Sequence, residues 1–423
     1  MRDNVFIPGK SYISASGKVF NNDEIDSAIK AAKDGWWTEG RFAKEFEKKF
    51  SKYLGVRYVS LVNSGSSANL LALSALTSEV FGKKALREGD EIITAACAFP
   101  TTVNPIIQNR CVPVFIDVDL GTKNPTYESI KKAITPKTRA IMLAHSLGNP
   151  LPLKGIMELV RKHGIWFIED CCDALGSLYN SRLVSTFGHI ATFSFYPAHQ
   201  ITMGEGGAVV TDNPLIHRAI RQFRDWGRDC WCDTGNDNTC GKRFDWQLGE
   251  LPKGYDHKYI YSQIGYNLKL TDFQAAIGVA QLKKLPGFIL KRKENFRKLY
   301  IFFKQYEKYF ILPTWDTNAD PCWFGFMLIV KDTAPFTRLE LVTYLEDHKV
   351  GTRNLFAGNL LKHPAYLKRK DIRISGNLFH SDLIMNNGFW VGVYPGITDN
   401  MNQYMRNTFS SFIKNKELHY TQG

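Results

Sequence analysis

The chain has 423 residues, 44% hydrophobic and 22% charged, with a formal net charge of +13. That balance predicts a globular protein with one large and one smaller domain. No apolar stretch approaches the roughly 20 residues of a membrane span. The N-terminus Met1-Arg-Asp-Asn-Val-Phe carries no apolar signal core, so a cytoplasmic protein is expected. Lys and Arg are spread without a block of five or six. This argues against nucleic acid and for a basic enzyme whose field favours a diphosphate substrate or an acidic protein partner.

Short apolar runs at 58–62, 91–94, 112–116, 140–144, 165–168, 191–195 and 208–211 read as strands. Helical stretches at 68–76, 105–109 and 155–163 lie between them. Alternating strands and helices predict an α/β domain with a mainly parallel sheet covered on both faces, its site at the carboxyl ends of the strands. Residues 220–265, rich in Asp, Gly, Asn, Trp and Cys, read as a long functional loop. A helix follows from Thr271 to about Tyr306, and the chain from Trp323 onward reads as a small α+β domain. The expected division is a cofactor-binding domain over 1–290, with a cysteine loop at about 225–260, and a small domain over 291–423.

Three segments point to a cofactor pocket. Asn63-Ser-Gly-Ser-Ser-Ala follows a strand and opens a helix, where small residues and free N–H groups can hold a phosphate, although simple helix caps look the same. Phe167-Ile-Glu-Asp170 ends an apolar strand in carboxylates, and Asp170 could pair with a protonated pyridine nitrogen or merely cap a loop. The segment from Thr192 to Ala208 supplies a strand, a polar turn and glycines for a reversal.

The chain has eight cysteines, and three of them, Cys230, Cys232 and Cys240, fall within eleven residues. With Cys172 they make the pattern C-x57-C-x-C-x7-C. The pattern lacks the C-x2-C knuckles of a common zinc site, yet four thiolates suit zinc and a [2Fe–2S] cluster about equally. Cys172 stands two residues after Asp170; if the strand continues, both side chains share a face. An electron relay gains from that proximity and a structural zinc does not. Cys171 would then face the core, and Cys97, Cys111 and Cys322 also read as structural.

These three segments, in this order, resemble the sugar aminotransferase family of fold-type I pyridoxal-phosphate enzymes. The resemblance extends to Gly35-Trp-Trp-Thr-Glu-Gly, Ala98-Phe-Pro-Thr-Thr-Val-Asn, Gly265-Tyr-Asn-Leu-Lys-Leu-Thr-Asp-Phe-Gln-Ala-Ala and Val393-Tyr-Pro-Gly. It implies that Gly65 and Ser66 bind the cofactor phosphate, joined by the Ser194 hydroxyl. Phe99 would stack on the ring, Asp170 bind its nitrogen, and Asn267 reach the cofactor of a second subunit, which implies a homodimer. Arg353 resembles the segment near the substrate's nucleotide end.

One departure redirects the chemistry. The family's aminotransferases carry a lysine five residues after the serine; this chain has His199 there, and no lysine between Lys162 and Lys242. Imidazole cannot anchor an aldehyde cofactor but can move a proton. The expected cofactor is therefore pyridoxamine phosphate (PMP), and the expected reaction is dehydration with His199 as base. Histidine and cysteine pattern together resemble the branch of CDP-4-keto-6-deoxyglucose 3-dehydrases. That resemblance implies a nucleotide-sugar substrate, a [2Fe–2S] cluster on the four cysteines and an NADH-dependent flavin/iron–sulfur reductase as partner. Two rivals stand beside it: a cluster-free, glutamate-coupled dehydratase, and a non-catalytic sensor.

Overall fold

The computed structural model describes residues 5–421. Its central sheet contains β1 (Tyr58–Val62), β2 (Glu91–Ala95), β3 (Val112–Ile116), β4 (Thr138–Ala144), β5 (Trp166–Asp170), β6 (Ile190–Ser194) and β7 (Gly207–Thr211). They lie in the order β1-β7-β6-β5-β4-β2-β3, with the short strand Arg373–Ile374 at the far edge. Neighbours are parallel except β7, which runs antiparallel to β1 and β6. Successive residues divide between the two faces as the pleat requires. Ile92, Met142, Ile168 and Val209 join one core, and Ile93, Ile141, Phe167 and Val210 the other. Burial on both faces explains why these strands are apolar throughout rather than alternating.

All seven strands fall where the sequence places them, with ends shifted by a residue or two. The helices α1 (Gly65–Ala75), α2 (Pro100–Gln108) and α3 (Leu153–His163) each begin earlier than expected. Ser64 caps α1 by accepting from the Ser67 N–H, and Pro100 opens α2 where a missing N–H costs nothing. The segment expected as loop from 220 begins as helix. In α4 (Pro214–Arg224), Asn213 caps the first turn and Ile216, Ala219, Ile220 and Phe223 form a buried stripe. Beyond it, among the described residues, only the short turn His257–Tyr259 and isolated bridges interrupt irregular chain up to α5 (Asp272–Phe303).

Helix α5 passes position 290 without a break. Its first half packs Ala275, Ala276 and Leu285 into the large core; its second half gives Phe296, Leu299 and Phe303 to a separate core. That second core backs a four-stranded antiparallel sheet of Phe310–Ile311, Gly325–Val330, Gly388–Gly392 and Thr352–Arg353. Among the described residues no helix is long and apolar enough to cross a membrane.

The carboxyl end of β5 is held by a buried polar network. Glu169 accepts from the backbone N–H groups of Ser185 (3.0 Å), Phe187 (3.0 Å) and Gly188 (2.6 Å), and its Oε2 lies 3.2 Å from His145 Nε2. Truncating it would strand two buried partners, Ser185 and His145, and two half-buried ones, Phe187 and Gly188, with a buried unsatisfied group costing about 1–3 kcal/mol. Glu169→Ala should therefore lower stability by at least about 3 kcal/mol in urea unfolding; a loss below about 1 kcal/mol would show that other contacts hold this end of the sheet.

Candidate active site

A cavity of about 340 Å³ opens at the carboxyl ends of the parallel strands. Gly65, Ser66, Phe99, Asp170, Ser194, His199, Arg353 and Cys172 all line it. Gly65 and Ser66 form the first turn of α1, so their N–H groups belong to the unpaired helix start. Only glycine fits at 65, because an added Cβ would stand 2.3 Å from Ser194 Cβ.

Asp170 is buried and fully engaged. Its Oδ2 accepts from Asn69 Nδ2 (2.8 Å) and Thr102 Oγ1 (2.7 Å), and its Oδ1 from the Cys172 N–H (3.1 Å). Thr192 donates in turn to Asn69 Oδ1 (2.6 Å). The backbone turns after Asp170 rather than continuing as strand, so Cys172 reaches the cavity through this local turn and not through strand alternation.

His199 sits in a turn with its ring 5.3 Å from that of Phe324, and its Nδ1 lies 3.5 Å from Asp173 Oδ1. Neither His199 Nδ1 nor Asp173 Oδ2 has a hydrogen-bond partner. Burial, helped by the Arg292 charge, pushes the imidazole down to about 3. Burial and the neighbouring Asp170 push the Asp173 carboxyl up to about 8. Both groups are thus neutral near pH 7, and their contact is not an ion pair.

Asn69, Thr102 and Asp173 complete the site without having been singled out in the sequence. Asn69 had a signal, since it lies one turn after Gly65 on the same helix face. Phe324, Asn354, Phe356 and Trp390 also line the cavity. They arrive from the four-stranded sheet and the chain beside it, where Phe324 and Trp390 pack against the large core, and nothing local announces them.

Asn267 does not line this cavity; Lys269 Nζ donates to its Oδ1 at 2.9 Å. The cysteines divide. Cys230, Cys232 and Cys240 border one small hollow with Arg243, His257 and Lys258, whereas Cys172 faces the main cavity. Among the described residues, the group of metal-ligating side chains whose ligand atoms all lie within 4.8 Å of one another is His145, Glu169 and Cys171, not the four-cysteine set. In this conformation the four thiols do not converge on one metal-binding group.

Parallel strands ending in a helix-capped cavity with an engaged aspartate, beside a second α+β unit, define a fold-type I pyridoxal-phosphate enzyme. The chain belongs to the DegT/DnrJ/EryC1/StrS aminotransferase family, whose profile matches residues 19–410. It is 51% identical over 408 residues to the lipopolysaccharide biosynthesis protein RfbH of Salmonella typhimurium, covering 96% of this chain and 93% of that protein. It is 50% identical over 408 residues to dTDP-4-dehydro-2,6-dideoxy-D-glucose 3-dehydratase of Saccharopolyspora spinosa, covering 96% and 88% respectively. Among solved structures, E coli GDP-4-keto-6-deoxy-D-mannose-3-dehydratase with bound hydrated PLP superposes with a TM-score of 0.84 at 30% identity, covering 94% of this chain and 99% of that one. Its relatives thus include 3-dehydratases of nucleotide-linked deoxysugars.

The Asp173 environment has a measurable consequence. Between its ordinary value of 3.8 and about 8, the folded protein keeps a proton that the unfolded chain releases. Stability therefore falls as pH rises through that window. Asp173→Asn, a neutral isostere, should raise the melting temperature of the cofactor-free protein, and by more at pH 8 than at pH 5. An equal gain at both pH values, or a loss, would show that Asp173 is ionised in the fold.

Proposed function

We propose that this chain is a PMP-dependent C3 dehydratase acting on a nucleotide-linked 4-keto-6-deoxyhexose, with CDP as the nucleotide that the branch resemblance implies. The observation that carries the reading is the cavity's lining: it has every polar feature that suits the phosphate and ring, and His199 but no lysine. The cofactor, when bound, supplies an amine that condenses with a ketone and a ring that withdraws electrons from the adjoining carbon.

The chain's own residues then have separable tasks. The Gly65 and Ser66 N–H groups and the Ser194 hydroxyl hold the phosphate, Phe99 covers one ring face, and Asp170 keeps the ring nitrogen protonated. His199, neutral and facing the cavity, takes the proton from the cofactor's C4′ carbon with the ring nitrogen remote from Asp173. Arg353 pairs with the substrate's diphosphate. Asn267 completes the phosphate site of a second copy of the chain. Trp226, Tyr261 and Ile264, close to it in sequence, are 43%, 54% and 95% exposed, which supports burial of this face in a homodimer.

Cys172, Cys230, Cys232 and Cys240 are the proposed ligands of a [2Fe–2S] cluster fed by an NADH-dependent flavin/iron–sulfur reductase. Support comes from the contact between the Cys230 and Cys232 thiols and from Cys240 on the same hollow. The separate position of Cys172 favours the alternative, a cluster-free dehydratase coupled to glutamate. Iron and sulfide analysis with a visible spectrum separates the two. Two irons and two sulfides per chain, lost in Cys230→Ser, are expected; iron-free protein that still dehydrates the sugar and releases ammonia from glutamate would establish the alternative.

A further inference from the structure

We infer that Arg292 is a positioning residue for His199, locking the turn that carries the imidazole to the strand segment that carries Phe324. The inference rests on the reading of His199 as the base and adds to it the group that aims it.

Arg292 lies on α5 and is 1% exposed, one of the two largest fully buried side chains among the described residues. Arg224, the other, has a carboxylate partner: Glu39 accepts both its terminal nitrogens at 2.7 and 2.8 Å. Arg292 has none. The acidic groups acting on it are Cys322 and Asp173, neither bonded to it. Its hydrogen bonds all go to backbone carbonyls: Nη2 donates to His199 O (2.9 Å) and Ala198 O (3.4 Å), and Nη1 to Trp323 O (3.3 Å) and Phe324 O (3.4 Å). Nε is left without a partner.

Burying a guanidinium without a counter-ion is costly, and an apolar side chain would fill the same space without that penalty. What an apolar side chain could not do is bridge two segments far apart in sequence. The bridge closes a ring of contacts. Arg292 holds the His199 and Phe324 carbonyls, its guanidinium stands 5.8 Å from the Phe324 ring centroid, and the Phe324 ring packs on the His199 ring at 5.3 Å. Gln200, the next residue, repeats the tie by donating to Asp173 O and, at 3.4 Å, to Cys322 O. The imidazole is thus fixed from its backbone side and across its ring face, with few rotamers left. The charge also helps to keep the ring unprotonated, as its depressed value of about 3 reflects.

The test compares parent, Arg292→Gln, Arg292→Lys, His199→Asn and the Arg292→Gln/His199→Asn double variant. Three quantities are measured: C4′ hydrogen exchange of bound PMP, the PMP dissociation constant, and the imidazole NMR signals of His199, assigned by their loss in His199→Asn. Arg292→Gln should slow exchange about 10–100-fold, as a misplaced group does. Its PMP affinity should stay within about threefold, with the His199 signals shifted or broadened. Arg292→Lys should recover most of the rate, and the double variant should be no slower than His199→Asn alone.

Parent-rate exchange in Arg292→Gln, unmoved His199 signals, or a double variant slower than His199→Asn would each overturn the inference. So would a loss of PMP affinity that matches the loss of rate, which marks a merely structural residue. If Arg292→Gln does not fold, Phe324→Leu cuts the same ring of contacts, and His199 signals unmoved there overturn the inference equally. Parent-rate exchange in His199→Asn would instead remove the reading of His199 as base, while the NMR signals still decide whether Arg292 positions it.

Discussion

The site is organised around one carboxylate. Asp170 ends β5, and its two oxygens receive a side chain from α1, a side chain from α2 and the backbone of its own turn. Through Asn69 the same node binds Thr192 on β6. Two strands and two helices are therefore registered at a single buried point, to the few tenths of an ångström that hydrogen bonds tolerate. Because its donors are supplied by the protein, the direction of the carboxylate into the cavity is set before any ligand arrives. The helix start at Gly65 is set by the same node, since Asn69 lies on the same helix face one turn on.

Much of this was legible because it is local. Strands buried on both faces announce themselves as apolar runs; Asp170 ends one of them, and the segments after others carry Ser64–Ser66 and Phe99–Thr102. What stayed hidden depends on chain segments meeting in space. Phe324 and Trp390 reach the cavity from the four-stranded sheet and the segment leading into it, far along the chain from β5, and Asp173 acquires its meaning only from burial beside Asp170 and His199. Other motif residues turned out to be builders. In the segment Thr271-Asp-Phe-Gln, Asp272 accepts from the N–H groups of Gly40 (3.0 Å), Phe42 (3.1 Å) and Ala43 (2.9 Å). It thereby caps the helix Arg41–Leu54 across more than two hundred residues, joining two motifs that sequence alone cannot connect.

The cysteines show how location governs a thiol. Cys97 and Cys111 are pushed up to about 12 by burial and behave as small apolar side chains. Burial also raises Cys232, but hydrogen bonds from Thr239 outweigh it and hold that thiol below its usual value, next to Cys230, which burial raises. The loop around them has little apolar core. Arg243–Asp256 at 2.6 Å, Arg218–Asp229 at 2.9 Å and the rings of Trp231, Trp246 and His257 hold it together. Partly exposed ion pairs contribute about 0–1 kcal/mol each. Three of the thiols thus ride on weakly held chain while Cys172 is anchored at the rigid end of β5. On the proposed reading, a bound cluster would supply the cohesion this loop lacks and draw off the thiol protons.

His199 poses a related problem of matching strength to task. The base proposed at this position must be unprotonated, and burial of the imidazole together with the Arg292 charge keeps it so. An imidazole pushed down to about 3 is nevertheless a poor proton acceptor at neutral pH, since general bases work best with values near the operating pH. The resolution lies in what the cavity is built to receive. On the proposed reading it takes up a cofactor phosphate at the α1 start and a diphosphate near Arg353, and each brings negative charge into a region of low dielectric. Added negative charge favours the protonated imidazole and raises its affinity for a proton. The same charge acts on Asp173 in the same direction and keeps that carboxyl neutral, so it does not compete with the imidazole as a second base. On that reading the base strength of His199 would be conferred by the bound anions, and the unliganded protein avoids burying a cation beside Arg292.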